Sequence, residues 1–253
     1  MGDILMAEEQ RDRLPDDHPL KHENFFSFGG IDFRPSSDSE VEKFEVEQKA
    51  LQEKKRKDKL EEQYRKASGV PERYWNESLD TYTTYNAETA YALKVAKKFV
   101  NSNSRSKILI LCGKPGTGKT HLACGILREL GGKYTTLQKI LYRIDSAMSF
   151  KASETKMDIL NEVTASTGVV FDEVGRGGRT ESAMELAGYF INELYSALRW
   201  IVIVSNLSKK DLVGALGLAV KDRLNEVAFA IEFSGPSYRE KKRENGCTWM
   251  EDE

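Results

Sequence analysis

The sequence predicts an α/β protein whose core is a parallel, five-stranded β-sheet between two layers of helices. Short apolar segments alternate with amphipathic segments from residue 69 onward. The apolar segments are nearly continuous, and a glycine-rich loop joins one of them directly to a helical segment. Continuous apolar strands are typical of parallel sheets, because helices cover both faces of such sheets.

The predicted strands and helices follow one another in regular order. We predict strands at residues 107–112, 133–137, 168–172, 200–205 and 227–233. We predict helices at residues 119–130, 140–150 and 181–198, and before them a helix that is capped by Asn86 and reaches about residue 101. Ligands of parallel sheets bind beyond the carboxyl ends of the strands, so we expect a functional site there.

Composition limits the classes of function. The 253 residues suffice for one full domain and an extension. A formal charge of −2 excludes a general polycation, so any DNA contact has to be a local patch. Three dispersed cysteines offer neither a disulfide framework nor a zinc site. Without a signal sequence or an apolar membrane span, we expect a cytoplasmic protein with no membrane contact.

The chain divides into three predicted regions: an N-terminal extension (residues 1–68), a packed α/β domain (residues 69–243) and an acidic flexible tail (residues 244–253). The first part of the extension is a polar, mostly disordered arm. It contains an aromatic island at residues 25–33, which is either a docked strand or a partner-binding segment. A charged helix is predicted at residues 39–66, as a solvated linker or as a docking helix for another protein.

A phosphate-binding loop of the Walker A type follows the first strand of the domain. It matches G-x-x-x-x-G-K-[ST], and its residues are Gly113, Lys114, Pro115, Gly116, Thr117, Gly118, Lys119 and Thr120. Backbone N–H groups of such a loop face the β-phosphate, and the following helix adds its positive N-terminus. Lys119 is expected to reach the β- and γ-phosphates, and Thr120 is expected to bind Mg²⁺. The predicted cofactors are therefore ATP and Mg²⁺.

A Walker B segment ends the third predicted strand. It places Asp172 and Glu173 next to each other, and because neighbouring strand residues point to opposite sides, we expect two different roles. Asp172 would bind Mg²⁺, and Glu173 would polarise the attacking water, which favours ATP hydrolysis. Asn206 follows the next strand, where its amide could contact the water or the γ-phosphate; the alternative is a simple turn residue.

Together these motifs resemble the AAA+ bacterial replicative helicase loaders of the DnaC/DnaI type. The resemblance covers residues 69–243 and includes Asp-Arg-Leu at residues 222–224. Two segments distinguish this family from other P-loop proteins: Lys-Thr-His-Leu-Ala at residues 119–123 and Ser-Tyr-Arg at residues 237–239. It implies an AAA+ P-loop fold without a C-terminal helical lid. It also implies roles for individual residues: sensor 1 for Asn206, arginine finger for Arg223, a second nucleotide-sensing arginine for Arg239, and a nucleotide contact for His121.

The resemblance further implies a slow ATPase that loads the hexameric replicative helicase onto single-stranded DNA. The N-terminal extension would bind the helicase, and the ATPase domains would associate with one another through ATP at subunit boundaries. Basic and aromatic residues between the second and third strands are candidates for DNA contact, with a solvated helix face as the alternative. They are Lys139, Tyr142, Arg143, Phe150, Lys151 and Lys156.

One pair of residues departs from the family pattern, and a second pair has no assigned role. Leu218-Ala219 stands where the family has a Glu-Arg pair, and the role of Arg176 and Arg179 is undecided. No zinc is expected, because the extension lacks a Cys/His set. The alternative functions are an IstB-like transposition helper ATPase, a P-loop kinase for a small substrate and a binding module without turnover. A small DNA-binding helical domain at the N-terminus would favour the transposition helper.

Overall fold

The computed structural model describes residues 26–28, 31–33, 38–104, 106–149, 152–175 and 181–240. The chain divides into two compact units, Met1–Glu61 and Glu62–Glu253. The proposed domain boundary at residue 68 stays a prediction, as does the boundary at residue 243. The acidic tail, Arg176 and Arg179 lie outside the described residues.

In the first unit, the described part of the aromatic island forms a β-hairpin. Its strands β1 (Phe26–Phe28) and β2 (Ile31–Phe33) pair antiparallel, with Phe26 opposite Phe33. The hairpin is followed by helix α1 (Asp38–Ser68), which confirms the charged helix predicted at residues 39–66. The side chains of Val46 and Leu60 on this helix are more than half exposed, at 61% and 54%.

The second unit contains the predicted parallel five-stranded sheet. In their order across the sheet, the strands are β4 (Lys133–Thr136), β5 (Gly168–Val174), β6 (Trp200–Ser205), β3 (Lys107–Gly113) and β7 (Ala228–Phe233). All neighbouring strands in this sheet are parallel, so their carboxyl ends meet at one edge. Strand β6 therefore lies between the strand before the phosphate loop and the Walker B strand.

Helices cover both faces of the sheet. The bounds are α2 (Ala87–Asn101), α3 (Lys119–Leu130), α4 (Leu137–Ala147), α5 (Lys156–Thr164), α6 (Glu181–Ser196), α7 (Lys209–Leu216) and α8 (Leu218–Val227). Buried side chains of α2 and α3 share one apolar cluster with the sheet. Those of α4 to α8 form a second cluster on the opposite face. Helices thus bury both faces of a parallel sheet, which confirms the predicted fold class.

Some predicted bounds were wrong. Helix α4 begins at Leu137 rather than at residue 140, because the Thr136 hydroxyl caps it by accepting from the Lys139 N–H at 3.1 Å. Helix α6 ends at Ser196, before Leu198 adopts a positive φ of 56°. Helices α5, α7 and α8 were not predicted; each is only 8 to 10 residues long, so its periodicity is weak.

The linker segment, residues 69–82, follows α1 in the chain and contacts helix α3. The Arg128 guanidinium on α3 lies 4.9 Å from the Tyr64 ring centroid and donates hydrogen bonds to the carbonyls of Trp75 and Glu77. The Trp75 indole in turn donates to the Val70 carbonyl at 3.0 Å. One arginine therefore joins the C-terminal end of α1, the linker segment and the helix after the phosphate loop.

Among the residues that the structure describes, no helix combines the length and apolarity needed to cross a bilayer.

Candidate nucleotide-binding site

The glycine-rich loop connects β3 to α3 and has the backbone geometry that its sequence predicts. Gly116 and Gly118 have φ values of 77° and 92°, which side-chain-bearing residues rarely adopt. A Cβ at Gly116 would lie 2.2 Å from Ser237 Oγ, and one at Gly118 would lie 2.9 Å from the Tyr82 ring. The loop is therefore packed against two other segments, and only glycine fits at these two positions.

Lys119 begins helix α3, and its side chain folds back along the loop. Its side chain is buried, and Nζ donates to the carbonyls of Gly113 at 2.9 Å and Lys114 at 2.5 Å. Burial lowers the pKa of the Lys119 ammonium to about 8, although the nearby Asp172 carboxylate acts in the opposite direction. A phosphate at the loop would supply the negative charge that favours the ammonium form.

The two Walker B carboxylates occupy different environments, as predicted, but simple strand alternation is not the cause. The pairing of β5 with β6 shifts register between Phe171 and Val174, and Glu173 adopts a positive φ of 56°. This irregularity leaves Asp172 buried at 4% exposure and turns Glu173 toward solvent. Strained backbone of this kind is often found at active sites.

Asp172 is contacted by a tyrosine that the sequence motifs do not indicate. The Tyr134 hydroxyl donates to Asp172 Oδ2 at 2.7 Å, and the Glu173 N–H donates to Oδ1 at 2.6 Å. Burial and the neighbouring Asp172 carboxylate raise the pKa of Tyr134 above its ordinary value, so the phenol remains a proton donor. The only sequence signal is a tyrosine in the strand that pairs with the Walker B strand, and that pairing cannot be read from the sequence.

Asn206 lies at the end of β6. The preceding residue, Ser205, donates its hydroxyl to the Val174 carbonyl at 2.6 Å and accepts from the Leu207 N–H at 3.1 Å. The Leu207 carbonyl accepts from the Gly113 N–H at 2.9 Å. The turn at Asn206 is thus attached both to the Walker B strand and to the start of the phosphate loop.

These elements surround a cavity of about 700 Å³, which is within the usual size range of small-molecule sites. Most of the predicted site residues line it: Pro115, Gly116, Thr117, Gly118, Lys119, Thr120, His121, Asp172, Glu173, Asn206 and Arg239. Thr120 and Asp172 both face this cavity, so a hydroxyl and a carboxylate are available there for Mg²⁺, which is usually held by few protein groups together with phosphate oxygens.

The last described residues of the second unit, which end at residue 240, cover one side of the phosphate-binding loop. The Tyr238 N–H donates to the Gly116 carbonyl at 2.9 Å, and the Tyr238 ring stacks on Tyr85 at 5.2 Å between centroids. The Arg239 N–H donates to Ser237 Oγ at 3.2 Å. These contacts place Arg239 on the cavity wall, although its sequence position is remote from the loop.

His121 lines the cavity, and its ring nitrogens contact the linker segment. Nδ1 lies 2.8 Å from a Glu77 carboxylate oxygen, and Nε2 lies 3.0 Å from the Ser78 carbonyl. Arg73, which sequence analysis did not single out, lies on the same wall. Its guanidinium makes no hydrogen bond or ion pair with any residue that the structure describes. Arg73 therefore adds positive charge to a cavity that already contains Lys119 and Arg239.

The family assignment rests on a match over most of the chain. Residues 35–246 match the family model described as IstB-like ATP binding protein. The chain belongs to this family.

Several other proteins are similar to this chain. The replicative helicase loader DnaC of Buchnera aphidicola subsp. Acyrthosiphon pisum is 29% identical over 187 residues, which are 70% of this chain and 75% of that protein. DnaC of Escherichia coli K12 is 29% identical over 201 residues, which are 76% of this chain and 80% of that protein.

Solved structures are similar as well. A crystal structure of the DnaC helicase loader superposes with a TM-score of 0.57 at 28% identity, covering 65% of this chain and 100% of that chain. A DnaI crystal structure shares the fold, with a TM-score of 0.56 at 18% identity, over 69% and 98% of the chains. The resemblance predicted from the motifs is thereby confirmed.

Arg223 is not among the described residues that line the cavity. It lies on α8, where its guanidinium is 5.9 Å from the centroid of the Tyr195 ring. The Tyr195 hydroxyl donates to a Glu226 carboxylate oxygen at 2.6 Å. Arg223 thus lies apart from the cavity, and its role as an arginine finger stays a prediction.

The proposed DNA patch is only partly cationic. Arg143 donates to Glu154 and Glu162 at 2.6 and 2.7 Å, and these two carboxylates raise the pKa of its guanidinium while burial opposes them. Arg143, a candidate for DNA contact, is therefore paired with two carboxylates within the protein. Lys139, Tyr142 and Lys156 are exposed, whereas Phe150 and Lys151 lie outside the described residues.

Proposed function

We propose that this protein is an ATP-driven loader that places a hexameric replicative helicase on single-stranded DNA. The observation that carries the proposal is the convergence of Lys119, Asp172, Glu173 and Asn206 on one cavity in a chain similar to DnaC helicase loaders over 70% of its length. The proposal places the protein in the cytoplasm.

The cavity has the groups that ATP hydrolysis needs. The Lys119 ammonium neutralises charge on the β- and γ-phosphates, and the loop N–H groups hold the triphosphate in place. Mg²⁺ bound with the nucleotide, at Thr120 and Asp172, would stabilise negative charge on the transferred phosphoryl group. The exposed Glu173 carboxylate accepts a hydrogen bond from the attacking water and orients it, while the Asn206 amide holds the γ-phosphate or that water. The attack releases ADP and phosphate.

A second subunit completes this site. Because Arg223 lies away from its own cavity, its place in this proposal is to stabilise charge on the γ-phosphate of a neighbouring subunit. ATP at the boundary would then hold two subunits together, and hydrolysis would weaken their contact. Turnover would be slow in the isolated protein, because the arginine is supplied only on assembly.

The N-terminal unit supplies the helicase contact in this proposal. Helix α1 exposes apolar side chains, among them Val46 and Leu60, along an otherwise charged surface. Exposed apolar residues within a charged helix are available for a partner protein. Three exposed residues would contact DNA in this proposal. Lys139 and Lys156 would contact the DNA backbone, and the Tyr142 ring would stack on a base.

The family match also favours a second candidate, a transposition helper ATPase of the IstB type. Such a protein would use the same cavity but would bind duplex DNA and a transposase. Among the described residues of the first unit there is one hairpin and one helix, which is less than a small helical DNA-binding domain.

One experiment separates the two candidates. The protein is mixed with the replicative helicase of its host, with ATP and Mg²⁺ or without them, and the mass of the complex is measured by light scattering on a sizing column. We expect a complex of a helicase hexamer with several copies of the protein. Removal of residues 1–61 should abolish it, and this truncation keeps Tyr64 for its contact with Arg128. Absence of a helicase complex, together with ATP-dependent binding to duplex DNA, would support the transposition helper instead.

A further inference from the structure

The contact between Tyr134 and Asp172 follows from the register between the edge strand β4 and its neighbour β5. Tyr134 pairs with Val170, and Thr136 pairs with Asp172, so Tyr134 and Asp172 are diagonal neighbours on one face of the sheet. Diagonal neighbours are close enough for a long aromatic side chain to bridge them. The tyrosine ring is buried, at 8% exposure, and its hydroxyl reaches Asp172 Oδ2 at 2.7 Å.

The Asp172 carboxylate is thereby held at both oxygens. The Glu173 N–H fixes Oδ1 at 2.6 Å, and the Tyr134 hydroxyl fixes Oδ2. Two hydrogen bonds on different oxygens prevent rotation of the carboxylate plane. Each oxygen keeps a second lone pair, so the carboxylate can still bind a cation from the cavity side.

We propose that Tyr134 is a positioning residue for the metal site, which holds the Asp172 carboxylate in the orientation that receives the Mg²⁺ ion of bound Mg-ATP. This inference rests on the proposed function of the cavity. Groups that hydrogen-bond to a metal ligand fix its orientation, and their loss commonly weakens metal affinity.

A purely structural role for Tyr134 predicts a different outcome. The Tyr134 ring belongs to the apolar cluster on the α2 and α3 face, and its backbone carbonyl closely approaches Gly69. Tyr134→Phe keeps the ring and the backbone and removes only the hydroxyl. If Tyr134 serves packing alone, this variant binds Mg²⁺ with nucleotide as the unaltered protein does.

The test uses the full-length protein and fluorescent N-methylanthraniloyl-ATP. Binding is titrated first in EDTA and then with increasing Mg²⁺ at a fixed nucleotide concentration. For Tyr134→Phe we expect unchanged affinity in EDTA and a half-saturating Mg²⁺ concentration about tenfold higher. Tyr91→Phe, which alters an exposed tyrosine on α2, is the matched control and should leave both values unchanged. Circular dichroism checks that each variant is folded.

The other outcomes are also informative. An unchanged Mg²⁺ titration overturns the proposal, and so does an equal loss of affinity in EDTA and in Mg²⁺, because that indicates damage to the whole cavity. If the unaltered protein binds the nucleotide without any response to Mg²⁺, the proposed Mg-dependent function fails as well. The titration of the unaltered protein therefore distinguishes the two failures.

Discussion

The Ser205 hydroxyl donates a 2.6 Å hydrogen bond to the Val174 carbonyl, and this contact joins the strand that ends at Asn206 to the irregular strand that contains Glu173. The regular ladder between these strands is interrupted after Phe171. Pairing resumes at Val174 and Ser205, so this side-chain hydrogen bond strengthens the contact between the strands next to two proposed catalytic residues.

Ser205→Ala is expected to lower both stability and hydrolysis. The buried Val174 carbonyl would lose a donor and the Leu207 N–H would lose an acceptor, which costs about 1–3 kcal/mol of unfolding free energy. Because Asn206 and Glu173 then lose their common support, kcat should fall more than nucleotide affinity. Urea denaturation and steady-state ATPase kinetics measure the two effects, with the exposed Ser196→Ala as control. An equal fall in kcat and affinity would contradict this role.

Glu173→Gln should bind ATP but hardly hydrolyse it. Glutamine keeps the size of the side chain and loses the carboxylate that polarises water, so we expect turnover to fall roughly 100-fold or more. Retention of radiolabelled ATP after gel filtration, together with phosphate release, gives the measurement. The exposed Glu185→Gln on α6 is the matched control. Unchanged turnover in Glu173→Gln would mean that another group handles the water.

Nucleotide affinity should weaken as the pH rises through about 8, the pKa of Lys119 in this structure. Burial lowers this pKa, so the ammonium is charged below it and loses its proton above it. ATP favours the charged form, and binding at about pH 9 should therefore take up a proton, with Kd rising toward tenfold per pH unit. Calorimetry in two buffers of different ionisation enthalpy measures the uptake. An uptake that persists in Lys119→Ala would assign it to another group.

The sheet and its phosphate loop could be predicted because their signals are local. Continuous apolar strands and the spacing of Gly113, Gly118 and Lys119 define them without any long-range information. The predicted strand at residues 200–205 and the predicted helix at residues 119–130 match the structure residue for residue. Helices α7 and α8 were missed because they are short and bury few apolar side chains.

The candidate site could be predicted only in part. Its motif residues carry their own signal, but Tyr134 contacts Asp172 through strand pairing, and the order of strands is not encoded locally. Glu162 on α5 and Glu154 in the loop before it pair with Arg143 on α4, which a count of basic residues cannot reveal. Both differences arise from tertiary contacts between segments that are separate in sequence.

Arg223→Ala should abolish most hydrolysis without affecting nucleotide binding, because Arg223 lies outside its own cavity. Loss of an arginine finger typically lowers turnover roughly 1,000-fold. Lys221→Ala, an exposed change on the same helix, should have little effect. Affinity for fluorescent ATP is measured for each isolated variant, and steady-state turnover is measured for each variant assembled with the helicase, where the arginine is supplied.

Mixing two inactive variants tests whether the arginine acts between subunits. Arg223→Ala retains an intact cavity, and Lys119→Ala retains the arginine but loses its phosphate-binding lysine. If neighbouring subunits share the site, a mixture assembled with the helicase should regain part of the turnover, since an Arg223 from one variant then faces an intact cavity of the other. Mixtures that stay inactive although both variants enter the complex would show that Arg223 acts within its own subunit or serves only the structure of α8.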